Sequence, residues 1–262
     1  MISVVLATYN EEKNLADCLA TVSSFADEII VVDGSSTDDT RKIAKSAGAR
    51  VIKTTNKPNF HINKQMAMDE ATGELVLQLD ADEHIDAELA SFITKLHQQL
   101  KSQNFQPKED QPVAWWLKRK NYFLGSFLTK GGQYPDPVIR LYISGYAQLP
   151  QKDVHEQMVV DGAVGWAEGH LIHYSNPTFA DSLRKFNTYT SFAASQLQEE
   201  DVALSVIGTL DYFIFKPIKT FATLYLRHKG FVDGVPGFVF AVMSGLHHPI
   251  TYLKLWELQH AQ

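Results

Sequence analysis

Two carboxylates, Asp80 and Asp82, flank Ala81 directly after the run Glu74-Leu75-Val76-Leu77-Gln78-Leu79. Residues i and i+2 of a strand share a face, so both acids emerge together at the strand end, where a hard divalent cation and a diphosphate would find oxygen ligands. Taken alone, the triplet reads equally well as a solvated acidic turn leading to a helix capped by Asp86. Two other polar clusters also follow apolar runs: Thr8-Tyr9-Asn10-Glu11 after Ile2 to Ala7, and Asp33-Gly34-Ser35 after Glu28 to Val32. An acid at the end of a second strand resembles the residue that other α/β nucleotide folds aim at a ribose or base edge. Neither a G-x-G-x-x-G fingerprint nor a P-loop is present, which leaves a nucleotide whose phosphates are held by a metal.

The elements that must position these groups alternate. Strand 2–7 leads to a helix that Asn10 is expected to cap, with Leu15, Leu19 and Val22 on one face. Strand 28–32 leads to a helix stopped by Gly48. Strand 50–54, a helix around 60–72 ended by Gly73, strand 74–79 and a helix from Asp86 through Leu89, Ile93, Leu96 and Leu100 complete the run. Apolar strands alternating with helices predict an α/β fold with a mainly parallel sheet covered on both faces. Ligands in such sheets bind beyond the carboxyl ends of the strands, where all three polar clusters fall.

Residues 101–113 read as an exposed connection, and residues 114–164 mix short β-like pieces with Gly and Pro turns. Asn176-Pro177 is expected to start a helix carrying Phe179, Leu183, Phe186, Ala193 and Leu197, and the last 60 residues read as helical and aromatic.

The segments Val4 to Glu11, Ile30 to Asp38 and Gly73 to Asp82, in that order, resemble the GT-A-fold inverting glycosyltransferases of family 2. Within that family, Gly131-Gly132-Gln133-Tyr134-Pro135-Asp136, Arg140-Leu141, Val154-His155-Glu156 and His173-Tyr174-Ser175 resemble the bacterial branch that adds glucose or galactose to inner-core heptose of lipopolysaccharide. The resemblance implies a GT-A catalytic domain over 1–175, with a donor half at 1–100 and an acceptor half at 114–175, followed by a helical region over 176–262. It implies a nucleobase pocket lined by Thr8, Tyr9, Glu11 and Asp33, with Asp80 facing the ribose and Asp82 binding the metal. Asn63 and Lys64 fall in the helix that family members place beside the donor, although polar residues on an exposed helix face need no function. The implied cofactor is a divalent metal, Mg²⁺ or Mn²⁺. The implied partners are a UDP-sugar and a lipopolysaccharide core or other glycolipid acceptor.

Inverting transfer needs a base to take the acceptor hydroxyl proton as the anomeric carbon is attacked from behind. Glu156 matches the position of the acidic base in related enzymes and Asp136 is the second candidate, while the family's more widespread Glu-Asp dipeptide is missing there. His155 and His173 read singly as hydrogen-bonded imidazoles, and as a pair after two carboxylates as metal or diphosphate partners. Arg140 suits an acceptor phosphate, or an ion pair with Asp136. The alternatives kept open are a family 2 transferase acting on a polyprenol-linked or capsule acceptor, and a nucleotide-sugar-binding protein without turnover.

Composition narrows the partners. A formal net charge of −6 argues against a nucleic-acid binder working through a basic face. The single cysteine, Cys18, excludes an intramolecular disulfide and reads as a core residue in a reducing compartment. The N-terminus reads as a first strand rather than a signal peptide, so a cytoplasmic protein is expected. The most apolar stretch, Val235 to Leu246, is short and interrupted by Pro236, Gly237 and Gly245, so no span is expected. Residues 205–262 carry five Lys and Arg against three Asp and Glu among many aromatics, which suits a peripheral helix on the anionic inner leaflet or a helical appendage packed on the protein or on another subunit.

Overall fold

A computed structural model describes residues 1–108, 110–150 and 157–260. Packing divides them into two units, residues 1–119 with 137–173, and residues 120–136 with 174–262. Of the expected 1–175 domain, residues 120–136 and 174–175 group instead with the C-terminal helices.

The first unit begins with β1 (Ile2–Thr8), α1 (Leu15–Val22), β2 (Glu28–Asp33), α2 (Thr40–Ser46), β3 (Arg50–Lys53), α3 (Phe60–Asp69), β4 (Leu75–Leu79), β5 (Glu83–Ile85) and α4 (Ala87–Ser102). It continues with β6 (Pro112–Phe123), whose last residues and partner β7 (Ser126–Phe127) belong to the second unit, then β8 (Pro137–Ile143), β9 (Ala147–Gln148), β10 (Val159–Val160) and β11 (Ala163–Asn176). The sheet order is β3-β2-β1-β4-β8-β6-β11-β5, with β7 on β6 and β9–β10 a separate ribbon. β3, β2, β1 and β4 are mutually parallel, whereas β4–β8, β8–β6 and β11–β5 are antiparallel. The α/β architecture is therefore a parallel half extended by antiparallel strands.

Alternation along the buried strands feeds two cores. Val4, Leu6, Val31, Leu75, Leu77 and Leu79 pack with Leu15, Cys18 and Leu19 of α1 and Leu89, Ile93 and Leu96 of α4. Val5, Ile30, Val32 and Val76 point the other way onto Ala67 and Met68 of α3. A strand buried on both faces has no polar side to slip toward, and burial of each such side chain contributes about 1.5–3 kcal/mol. Register then aligns the strand ends, since Thr8 pairs with Asp33 and Leu6 with Leu79. Thr8, Asp33 and Asp80 consequently reach one rim.

Local differences from the sequence reading have local causes. Asn10 does not cap α1: it adopts φ 56°, which Asn tolerates, and its Oδ1 accepts from Thr37 N at 2.8 Å while its own N–H donates to Ser36 Oγ at 2.9 Å. It ties two rim loops together, and the helix starts at Leu15. α3 ends at Asp69, and Gly73 instead permits a close approach, because a Cβ there would lie 2.5 Å from Ser3 Oγ and 2.6 Å from Met1 O. Pro177 precedes the helix cap Thr178, whose Oγ1 accepts from Asp181 N at 3.1 Å.

The second unit contains α5 (Phe179–Glu199), α6 (Val206–Leu210), α7 (Lys216–Phe221) and α8 (Gly234–His260), with π-helical turns at Asp211–Phe215 and Ala222–Arg227 and a 3₁₀ turn at Gly230–Asp233. Ala194, Tyr252 and Leu255 form its small core with Leu197, Val202, Leu204 and Tyr212. The interrupted run 235–246 proves continuous within α8. Pro236 stands in the first turn, and Gly237 is buried where a Cβ would meet Gly230 O at 2.0 Å. Residues Gly230–His260 are long and apolar enough to cross a membrane by length and composition, although α8 packs against α5 and α7.

Candidate active site

The rim of the first unit holds a network of buried charge. Asp80 leaves β4 with both carboxylate oxygens engaged: Lys64 Nζ of α3 lies 2.5 Å from Oδ1, and Arg140 Nη2 of β8 lies 2.8 Å from Oδ2. Arg140 also donates to Gln78 Oε1 at 2.5 Å and to Glu83 Oε1 at 3.1 Å. Glu83 has no exposed surface, takes a second cation in Arg119 at 3.6 Å, and accepts from Asp80 N at 2.9 Å. Burial alone would raise the Asp80 carboxyl, but Lys64 and Arg140 hold it well below the usual range. Burial likewise opposes the Arg140 charge, and Glu83 and Asp80 outweigh it. Burial lowers Lys64 despite Asp80. Buried ions persist only when paired and hydrogen-bonded, so this network has one narrowly defined geometry.

Asp82 stands beside it. Its Oδ2 is 3.5 Å from His173 Nε2, on the strand that pairs His173 with Glu83, and both side chains are partly exposed. A carboxylate oxygen and an imidazole nitrogen at this separation fit two neighbouring ligands of one divalent ion. The two groups chosen from sequence as metal ligands, 91 positions apart, are thus brought together. A different trio, Asp86, Glu88 and His170, also clusters. There Asp86 Oδ1 caps α4 by accepting from Leu89 N at 2.8 Å, and its Oδ2 meets His170 Nδ1 at 2.9 Å, which accounts for the pair structurally.

The expected nucleobase side is arranged in two layers. Tyr9 is exposed and Glu11 partly so, with Glu11 Oε2 accepting from Asn14 Nδ2 at 2.8 Å. Asp33 and Thr8 lie beneath them. Asp33 has no exposed surface and accepts from Ser36 N at 3.0 Å, from Ser36 Oγ at 2.5 Å and from Thr8 Oγ1 at 3.5 Å, with Arg41 Nε at 3.5 Å. In this geometry Asp33 braces the Asp33-Gly34-Ser35-Ser36 loop.

One further reading changes, and three other residues are placed. Arg140 pairs with Asp80 and Glu83, not with Asp136, and is 9% exposed, so it is a buried brace rather than a surface phosphate clamp. Asn63 and Lys64, expected beside the donor, are both buried, which sets aside the alternative of an exposed helix face: Asn63 Nδ2 donates to Thr55 O at 3.0 Å. Asp136 belongs to the second unit, where Asn121 Nδ2 donates to its Oδ2 at 2.8 Å. His155 and Glu156 lie outside the described residues. Gln78, Glu83 and Arg119 were missed. A glutamine inside an otherwise apolar strand and a third acid directly after Asp82 were the visible signals; Arg119 had none. Cys18 is buried in the core, and burial together with the Glu83 and Asp80 charges raises its thiol far above the reactive range.

The rim of the parallel strands thus presents paired acids, one neutralised by cations and one beside a histidine. The glycosyl transferase family 2 profile matches residues 3–156, and the chain belongs to that family; it is a glycosyltransferase. An uncharacterized glycosyltransferase of Rickettsia typhi is 29% identical over 268 residues, covering 98% of this chain and 87% of its own length. The lipopolysaccharide core biosynthesis glycosyltransferase LpsC of Rhizobium meliloti is 28% identical, covering 99% and 93%. Among solved structures, S. aureus TarS 1-349 aligns with a TM-score of 0.46 at 15% identity, covering 100% of this chain and 92% of that one. Glucosyl-3-phosphoglycerate synthase from Mycobacterium tuberculosis, in complex with Mn²⁺, UDP and glucosyl-3-phosphoglycerate, aligns with a TM-score of 0.34 at 23% identity, covering 48% and 44%.

Proposed function

We propose that this glycosyltransferase moves a hexose, glucose or galactose, from a UDP-sugar to an inner-core heptose of lipopolysaccharide with inversion at the anomeric carbon. The single observation that carries the donor side is the Asp82–His173 pair at 3.5 Å beside the clamped Asp80. Full-length similarity to LpsC, whose name assigns it to lipopolysaccharide core biosynthesis, supports the acceptor side.

Asp82 and His173 would hold Mg²⁺ or Mn²⁺, which when bound offsets charge on the departing diphosphate. Because Lys64 and Arg140 saturate Asp80, that acid adds no unbalanced negative charge to a site that must receive a diphosphate. Arg140, anchored by Gln78 and Glu83, fixes the strand end that carries both acids. Glu156, or failing it Asp136, takes the proton from the acceptor hydroxyl as its oxygen bonds to the anomeric carbon and the bond to the diphosphate oxygen breaks.

The test is UDP release by purified protein with UDP-glucose or UDP-galactose, Mg²⁺ or Mn²⁺, and heptose-terminated lipopolysaccharide. Release that depends on both acceptor and metal supports the reading. Release only with polyprenol phosphate or a capsule oligosaccharide would move the acceptor, and none with any pairing would overturn the proposal.

A further inference from the structure

The second unit leaves an unusual amount of apolar surface uncovered. Of the large apolar side chains exposed among the described residues, all but Met1, Tyr9, Phe60, Val159 and Trp166 belong to it. They form an ordered pattern. Ile207, Leu210, Ile214 and Ile218 recur at three- and four-residue spacing through α6, the first π turn and α7, and Ile207 is 81% exposed. The opposite side of that helical stretch is covered: Tyr212 stacks on Tyr252 of α8 at 4.8 Å, and a Cβ on Gly208 would lie 2.9 Å from the Tyr252 hydroxyl. The apolar stripe is therefore the side turned away from the unit's own core. The hairpin that follows continues it with Leu226, Phe231, Val232 and Val235, all at least half exposed.

Charge tells which partner suits this face. Between Asp211 and Asp233 the chain carries Lys216, Lys219, Arg227 and Lys229 and no carboxylate. Of the two flanking acids, Asp211 is paired with Lys216 at 3.2 Å, and Asp233 is turned to hydrogen bonds from Thr129 Oγ1 and the Lys130 backbone N–H. Lys219, Arg227 and Lys229 remain exposed beside the apolar residues. A protein whose net charge is −6 thus presents exposed apolar groups edged with cations, a combination complementary to a bilayer with anionic headgroups and an apolar interior. A second copy of the same chain would set these cations against one another.

We propose that the stripe Ile207 to Ile218, with the hairpin Leu226 to Val235, seats this protein on an anionic lipid leaflet. The apolar side chains enter the headgroup boundary, and Lys219, Arg227 and Lys229 sit at phosphate level. Seating is in the plane of the surface. α8 remains packed on α5 and α7, with Lys254 held by Asn187, Thr190 and Ser191 of α5. The same hairpin holds the loop before Asp136: Asp233 accepts from Thr129 N and Oγ1 and from Lys130 N, and His228 O accepts from Gly131 N at 2.9 Å. Lipid seating therefore acts on a segment bonded to the loop that precedes one of the candidate bases, and the inference itself does not rest on the donor or acceptor assigned above.

Flotation of the full chain with vesicles of phosphatidylcholine, with and without 30% phosphatidylglycerol, tests this. Binding should be strong to anionic vesicles, weaker to neutral ones, and reduced by 0.5 M NaCl. Lys219→Glu with Arg227→Glu and Lys229→Glu should lower partition onto anionic vesicles by about a hundredfold. Ile207→Ser with Ile214→Ser and Ile218→Ser should lower it by at least about tenfold on both compositions. Neither triple variant should change affinity for UDP, which separates loss of seating from failure of the donor site. Wild-type protein that stays unbound, variants that float like wild type, or light scattering showing a stable dimer that the isoleucine variant dissolves would each overturn the proposal.

Discussion

Arg140→Met puts the buried network to its sharpest test. The substitution keeps most of the side-chain length but removes the cation lying 2.8 Å from Asp80 and 3.1 Å from Glu83. Asp80 keeps Lys64 at 2.5 Å, whereas Glu83, with no exposed surface, keeps only Arg119 at 3.6 Å. Removing one partner of a buried ion pair costs about 3–5 kcal/mol, and the surviving Arg119 contact places this case near the low end. The Gln78 carbonyl loses its donor as well, at about 1 kcal/mol. The sum is about 4 kcal/mol, or roughly 8–16 °C in melting temperature for a unit of this size. Trp115, Trp116 and Trp166 all lie in the first unit, so urea unfolding followed by tryptophan fluorescence reports mainly on it. Arg140→Lys keeps the charge but not the fork that bridges Gln78, Asp80 and Glu83, and should lose about 1–2 kcal/mol. Adding Glu83→Gln to Arg140→Met removes the stranded charge and should restore about half of the loss. A single variant within about 1 kcal/mol of wild type, or a double variant less stable than the single, would show that the network is not the coupled charge system described.

The other predictions concern the site and the start of β2. Asp82→Ala and His173→Ala should each weaken Mn²⁺-dependent UDP binding by about ten- to a hundredfold in calorimetry, with little effect on binding measured in EDTA; an equal loss under both conditions would count against their shared metal role. Glu156→Gln should cut transfer by at least about a hundredfold with UDP-sugar affinity unchanged, and a full rate in that variant moves the base to Asp136. Glu28 Oε1 accepts from Ser3 Oγ at 2.5 Å, Thr72 N at 2.7 Å, Thr72 Oγ1 at 2.8 Å and Gly73 N at 3.2 Å. Burial alone would raise its carboxyl, but these donors hold it below its ordinary 4.5. A depressed carboxylate stabilises above its unfolded pKa and loses that contribution as pH falls through the folded value. Glu28→Gln should therefore cost about 2 kcal/mol at pH 7, and the gap to wild type should close in denaturation series run from pH 5 down to pH 3.

Much of the site was legible in the chain because a parallel sheet imposes a strong local code. Strands buried on both faces read as unbroken apolar runs, and a polar cluster closing such a run must stand at the rim; Tyr9, Asp33, Asp80 and Asp82 were found that way. Gln78 and Glu83 were missed although each left a local trace, a polar residue inside β4 and an acid after Asp82. What no local pattern carries is who meets whom across the sheet. Lys64 was placed beside the donor only through the family resemblance, and its ion pair with Asp80 was not visible; Arg140 was read as a phosphate clamp or a partner of Asp136 because its actual partners, Gln78 and Glu83, lie about sixty positions back. The pairing of Asp82 with His173 likewise depends on β11 returning beside β5. In the second unit, composition announced aromatic and basic residues, but only packing separated Tyr212 and Tyr252, turned inward on each other, from Ile207, Ile214 and Ile218, turned to the outside. Charge pairing and sidedness are long-range properties, set by which elements the fold brings within a few ångströms, and they are what the tertiary structure decided.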